Sequence, residues 1–381
     1  MGPSGMTTQP SFLFVHSYYP RFLEALYRQE PMLASMVFES QRRRIFDTFF
    51  GVSDAYSNGL RSLGVEAREV IADADILQAR WALEHGIHPD GNIHDQRRQI
   101  VAAQVAHYRP DVLYVFEWNP LGDRFVEEMR AQVAMTVGQI ASPLPANRTF
   151  RGYDLMISSY PPVVEHFRRE GGVGELLRLA FDDRVPLKIP QVESQHDVTF
   201  VGGFAPSHPD RIAWLERLAA KIELDVFGYG AEQIPAGSPL RARHHGEAWG
   251  LAMYQVLQQS RITLNRHAYI DVRGTVEHRY ANNMRLYEAT GVGTCLVTED
   301  HENLSEMFDP GREVVAYASD AECVEKMRNL LKNAEARSQI AAAGQRRTLR
   351  DHTYRRRMQE LLGIVTRYLQ RRARDANRAT L

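Results

Sequence analysis

The chain is poor in cysteine: it has two among 381 residues, Cys295 and Cys323, in no CxxC or Cys/His pattern. That argues against both a disulfide framework and a thiolate zinc cage. A charge excess is missing too. Forty-six basic side chains against 47 acidic ones leave a formal net charge of −1, which removes the electrostatic case for a general nucleic-acid or polyanion binder. No apolar run approaches the roughly 20 residues of a membrane span; the longest, such as Val112–Phe116, are strand-sized. Neither GxxxxGKS/T nor GxGxxG occurs, so the two common glycine-rich phosphate fingerprints are absent. Met1-Gly2-Pro3-Ser4-Gly5 has no apolar signal core and is expected to be a cloning remnant ahead of a native start at Met6. These absences lead to the expectation of a soluble, cytoplasmic protein with no integral membrane segment.

What is present is ordinary globular composition, 44% hydrophobic and 24% charged. At roughly 150 residues per domain the length suggests two domains, each long enough to bury its own core. Ser11–His16 reads as a buried first strand. A helix is expected over Phe46–Leu63, ending at Gly64, before a strand over Val65–Ile71. Helix resumes through Gln99–Tyr108, and Asp111–Phe116 is a strand apolar on both faces. A helix over Arg124–Ala134 and strands over Met135–Ile140 and Tyr153–Ser159 complete the first series. Strands buried on both faces and separated by helices imply a parallel sheet covered by helices.

The rhythm lapses over Asp182–Glu193, where Pro186 and Pro190 suit a linker. It then restarts: strands at Val198–Val201, Leu224–Phe227, Ile262–Leu264 and Thr294–Thr298, with helices at Asp210–Lys221, Trp249–Gln259, Asn283–Thr290 and Asp320–Asn333. The expected fold class is therefore α/β, with two Rossmann-like domains. Expected boundaries are 6–188, 189–352 and a C-terminal amphipathic helix over 353–381, with its apolar Met358, Leu361, Leu362, Val365 and Leu369 docked on the body. The arginines between them, Arg355-Arg356-Arg357, Arg371-Arg372, Arg374 and Arg378, then form a solvated helix face.

Open parallel sheets bind ligands outside the carboxyl ends of their strands, and three segments fall there. The first is Asn282–Thr298. Asn283 and Arg285 open a helix, and Arg285 offers a planar fork for phosphate oxygens. Glu288, one turn later, can accept two hydroxyls such as a ribose diol presents. An Arg–Glu pair at this spacing is equally a common helix-surface ion pair. In the second, Phe200-Val201-Gly202-Gly203-Phe204, two glycines at a strand end let a phosphate or sugar approach the backbone, or simply make a turn. In the third, Asp225–Gly230, Gly228 and Tyr229 follow a strand, and the tyrosine ring could stack on a base.

These segments occur in a set order. Gly202-Gly203 is followed by Val226-Phe227-Gly228, then Ser260–Asn265, then Asn283-x-Arg285-x-Tyr287-Glu288-x4-Gly293. Next come Leu304–Phe308, Gly311-Arg312-Glu313, Ala341–Gly344 and His352-Thr353-Tyr354. Over about residues 196–362 this resembles the nucleotide-binding half of the CgeB-like (spore-maturation-protein-type) glycosyltransferases of the GT-B group. The resemblance implies a GT-B architecture, two Rossmann-like domains facing a cleft. It also implies a nucleoside-diphosphate-sugar donor, a glycan, protein or small-molecule acceptor, no metal and no cofactor. Glu288 would hold the ribose hydroxyls. Arg285 and the backbone around Gly203 would face the diphosphate, with Asn265 and Asn283 as lesser partners and Gly228 and Tyr229 beside the base. Relatives with an E-x7-E motif carry a first glutamate where this chain has Tyr280, so the resemblance leaves both retaining and inverting stereochemistry open.

An inverting mechanism would need a general base in the first domain. His16 and Glu117, each at a strand end, are placed for it; local hydrogen bonding is the alternative role for both. Asp73-Ala74-Asp75 matches the DxD metal motif only superficially, and Asp182-Asp183 likewise. His244-His245 lacks a third ligand for a metal. Two other functions suit the same architecture: a nucleotide-sugar epimerase, or a non-catalytic nucleotide-sugar or glycan-binding module.

Overall fold

The computed structural model describes residues 9–116, 121–205, 208 and 210–379. The chain divides into two compact units. One is Met1–Arg178 together with Arg355–Leu381, and the other is Leu179–Tyr354.

The first unit carries six strands: β1 (Phe12–His16), β2 (Ala67–Ile71), β3 (Val112–Phe116), β4 (Met135–Gln139), β5 (Leu155–Ser158) and β6 (Gly174–Leu176). All are parallel, in the order β2-β1-β3-β4-β5-β6. Period-2 alternation sorts β1 into two faces. Leu13 and Val15 pack with Val101, Val105, Phe125 and Val126 from helices Ile93–Tyr108 and Gly122–Met129. Phe14 turns the other way, against Tyr56 and Tyr114. Full burial of such side chains contributes about 1.5–3 kcal/mol each.

The helix expected over Phe46–Leu63 is interrupted. Phe38–Phe46 and Ala55–Arg61 are separate helices, and between them Phe49, Gly51 and Ser53 take positive φ, which no α-helix accommodates. The final helix, Tyr354–Ala379, packs on this unit. Met358, Leu361 and Val365 are buried, Tyr368 Oη donates to Glu175 (2.8 Å), and Arg372 reaches the Ala134 carbonyl (2.9 Å) and Asp154 (2.7 Å).

The second unit contains β7 (His196–Val201), β8 (Asp225–Phe227), β9 (Ser260–Asn265), a hairpin of β10 (Ile270–Val272) and β11 (Thr275–Glu277), β12 (Cys295–Glu299) and β13 (Val315–Tyr317). Its parallel sheet runs β13-β12-β9-β7-β8. Phe200, Trp214, Leu215, Leu264, Val297 and Met327 form its core. The segment around the two linker prolines is half-structured: Val185–Leu187 is a 3-10 turn, and Val185 and Ile189 are buried. No helix of the described residues is long and apolar enough to cross a membrane. Both cysteines are buried and unpaired.

Candidate functional site

In the second unit the strand order reverses between β7 and β9, the point where doubly wound sheets open a crevice at their carboxyl ends. Three arginines converge there. Arg211 is the first residue of helix Arg211–Ala219; its Nη1 donates to the Gly203 carbonyl (2.5 Å) and its guanidinium lies over Phe200 (5.4 Å). Arg266 directly follows β9, lies over Trp214 (5.1 Å) and directs Nε to Glu299 Oε1 at 3.3 Å. Arg285 opens the seven-residue helix Arg285–Gly291; its Nη2 donates to the Val201 carbonyl (3.1 Å) and its Nη1 pairs with Glu288 (2.9 Å).

The cluster is electrostatically unsettled. Burial pushes the Arg211 pKa down to about 10, and the charges of Arg266 and Arg285 add to the effect. Arg211 Nε and Arg266 Nη1 are both buried without a hydrogen-bond partner. Buried donors left unspent are costly, and aromatic rings beneath two of the guanidiniums stop them turning freely to find partners. An anion bearing several oxygens is what this arrangement can take up.

Glu288 is buried; desolvation raises its pKa and Arg285 opposes the rise. The Arg285–Glu288 pair is therefore formed, but inside the unit and not on a helix surface. Asn283 lies just before this helix, its Oδ1 accepting from Arg285 N (2.6 Å), while its Nδ2 reaches the Arg266 carbonyl (3.4 Å). Asn265 is buried and spends its amide on Thr298 Oγ1 (3.0 Å), tying β9 to β12. Beside β7, a Cβ at Gly203 would come within 2.3 Å of the Tyr229 ring, which itself stacks on Trp249 (5.4 Å, 14°). Gly228 has φ +150, and a Cβ there would lie 2.0 Å from the Gly202 carbonyl oxygen. Gly202, Gly203, Gly228 and Tyr229 thus form one tight corner at the ends of β7 and β8. His244 Nε2 bonds the Gly228 carbonyl (2.8 Å) and His245 Nε2 bonds Asp225 (2.8 Å), so both shape that corner from behind.

In the first unit the order reverses between β1 and β3, where His16 ends β1. His16 is 3% exposed and stacks on Phe116 (4.2 Å). Its Nε2 meets Glu69 Oε2 in a close hydrogen bond, and Glu69 Oε1 accepts from Ser57 N (2.8 Å). Burial drives the two pKa values apart, His16 down and Glu69 up, which leaves the histidine neutral and the glutamate protonated near neutrality. Glu117 lies outside the described residues. The DxD-like acids are spoken for: Asp73 accepts from Tyr18 N (2.9 Å) and Asp75 pairs with Arg97 (2.8 Å). Asp182 pairs with Arg184 (2.6 Å).

Sequence reasoning missed Arg211, Arg266 and Glu69. Two of them had a readable signal: Arg266 immediately follows one strand flanking the reversal, and Arg211 opens the helix after the other. Glu69 had a partial one, an acid alternating onto the apolar face of its strand with Ala67 and Ile71, but its partner depends on the β1–β2 register.

Residues 211–363 match the family model described as Glycosyl transferase-like. No curated protein matches the chain. Among solved structures, HepE of Anabaena in complex with UDP-glucose is similar at 11% identity and TM-score 0.59, over 94% of this chain and 99% of that one. A glycosyltransferase from Rickettsia africae shows 9% identity and TM-score 0.59, over 95% and 99%. AviGT4, a glycosyltransferase of avilamycin A biosynthesis, shows 15% identity and TM-score 0.54, over 84% and 89%. The chain therefore has the α/β fold of GT-B glycosyltransferases, and its residues 211–363 carry a glycosyl transferase-like sequence.

Proposed function

We propose that this protein is a Leloir glycosyltransferase of CgeB-like type, moving a sugar from a nucleoside-diphosphate sugar to an acceptor hydroxyl. The observation that carries the reading is the arginine cluster at the β7/β9 reversal, with buried donors unspent on Arg211 and Arg266. The glycosyl transferase-like match and the UDP-glucose complex of the Anabaena neighbour support the same ligand class.

In this reading the donor diphosphate lies on Arg211, Arg266 and Arg285. Glu288, kept available for ionisation by Arg285, accepts the ribose hydroxyls, and the base lies along Tyr229. Gly203 leaves room because a side chain there would strike that ring. Transfer breaks the bond between the anomeric carbon and the diphosphate oxygen and forms one from the acceptor oxygen to that carbon. The charge arriving on the diphosphate is met by fixed guanidiniums, which supply electrostatic stabilisation without a metal in the chemical step. The acceptor proton passes to the His16–Glu69 pair once that pair has shed a proton. His16 is then the general base and Glu69 the group that positions it. The acceptor is a glycan, a protein or a small molecule.

The test is release of nucleoside diphosphate from a panel of sugar nucleotides, with and without an acceptor panel, read alongside donor NMR. Acceptor-dependent release supports the reading. Isomerisation of donor alone would make the protein an epimerase, and binding with neither outcome would make it a non-catalytic module.

A further inference from the structure

Beside the arginine cluster, three ligand-type side chains meet at the end of β12. Glu299 closes that strand, His301 follows it by two residues, and His278 is brought in by the β10/β11 hairpin. Their ligand atoms all lie within 4.8 Å of one another. Glu299 Oε2 is 3.8 Å from His278 Nε2 and 3.7 Å from His301 Nε2. Both Nε2 atoms are buried and have no hydrogen-bond partner, and the His301 side chain is only 4% exposed.

These separations are informative. They exceed a hydrogen bond, which ends near 3.2 Å. They lie a few tenths of an ångström above the ligand–ligand edge of roughly 3.3–3.5 Å set by tetrahedral bonds of about 2.0–2.2 Å. The carboxylate is held from behind, since its Oε2 also accepts from His267 N (2.8 Å). The rings are braced as well: His278 stacks on Tyr269 (4.1 Å), and His301 meets His267 edge-on (4.6 Å). Another His/Asp/His group in the same unit shows the contrast. His196 and His245 each lie at hydrogen-bond distance from Asp225 (2.7 and 2.8 Å), so those nitrogens are already spent.

We propose that His278, Glu299 and His301 bind a first-row divalent cation of the zinc type, with three protein ligands and one open position. Two imidazoles and one carboxylate suit such a borderline ion better than calcium or magnesium, which take all-oxygen shells. Bound there, the cation pins the hairpin to the end of β12 and fixes Glu299, which in turn steadies Arg266 through Oε1. Its role is positional. The site stands independently of the donor reading, because metal content is measured without nucleotide.

The test uses full-length protein purified without nickel affinity, stripped with chelator and titrated with Co2+. One equivalent should bind and give the visible ligand-field bands of low-coordinate Co2+, displaced by Zn2+, and Zn2+ should raise the melting temperature. His278→Ala, at a side chain 31% exposed, should weaken Co2+ binding at least about 100-fold, more than loss of an outer-shell partner would. His301→Ala should do the same, while His245→Ala should bind as wild type. Absence of the bands in wild type, or equal Co2+ affinity in wild type and His278→Ala, would overturn the proposal.

Discussion

Replacing Arg211 by Met separates a ligand-binding arginine from a structural one, because the two roles have opposite signs in two measurements. Burial lowers its pKa to about 10. At about 1.36 kcal/mol per unit, the folded protein gives up about 3 kcal/mol to keep this charge buried beside two others. The group is a base with a lowered folded pKa. The cost therefore applies at every pH below about 10 and is relieved only as pH rises above that value. Against it stand one charge-assisted bond to the Gly203 carbonyl, about 1.5–3 kcal/mol, and the contact over Phe200, about 0.5–1 kcal/mol. These nearly cancel, so Arg211→Met should leave the melting temperature of the free protein within a few degrees of wild type, about 1 kcal/mol either way. Nucleoside diphosphate binding should lose about 3 kcal/mol, a weakening of about 100-fold. Calorimetric titration with UDP and thermal melting read the two quantities on the same samples. A large fall in melting temperature with unchanged UDP affinity would refute the reasoning and make Arg211 a structural cation.

Glu288→Gln should weaken UDP binding about 10-fold or more without weakening inorganic pyrophosphate binding, since the ribose contact is lost while Arg285, released from its ion pair, still faces the diphosphate; competition titration checks this. His16→Ala should lower kcat about 10²–10⁴-fold with donor affinity unchanged. Wild-type kcat should rise with pH as the buried pair loses its proton, because Glu69 is protonated near neutrality and only the ionised pair can accept a proton; Glu69→Gln should flatten that rise. The same raised pKa makes the folded state hold a proton that the unfolded chain sheds near 4.3–4.5. Through weakly acid pH the lowered His16 pKa offsets this, because the unfolded chain there holds a histidine proton that the folded state lacks; the net decline in stability should run from about 6.5 up through about 8, and melting of Glu69→Gln should show a shallower decline. Gly228→Ala should cost about 2–4 kcal/mol, read as a lowered denaturation midpoint, since its Cβ would strike the Gly202 carbonyl.

The layered α/β architecture was legible because strands buried on both faces, such as β1 and β3, leave continuous apolar runs that only a covered parallel sheet explains. Gly203, Gly228, Arg285 and Glu288 could be picked out by their place after a strand or at the start of a helix. Short elements escaped. β6, β13 and the β10/β11 hairpin have three residues per strand, too few for periodicity to register. The break at Phe49–Ser53 was hidden because positive φ at non-glycine residues has no compositional mark. Long-range pairings were beyond reach for a different reason. Glu69 shares its strand face with Ala67 and Ile71, so alternation marks it as an acid on an apolar face, but only the register placing Phe14 opposite it brings it to His16. The helix opening at Arg211 likewise looks like a solvated first turn until Gly203 folds back beneath it.

A crystal structure of the protein with a bound nucleoside-diphosphate sugar would locate the diphosphate itself. The phosphate oxygens should lie about 3 Å from Arg211 Nε and Arg266 Nη1, the two buried donors now without partners, with the ribose on Glu288. A diphosphate bound elsewhere, with those two nitrogens still unpaired, would contradict the assignment of the second unit as the donor site.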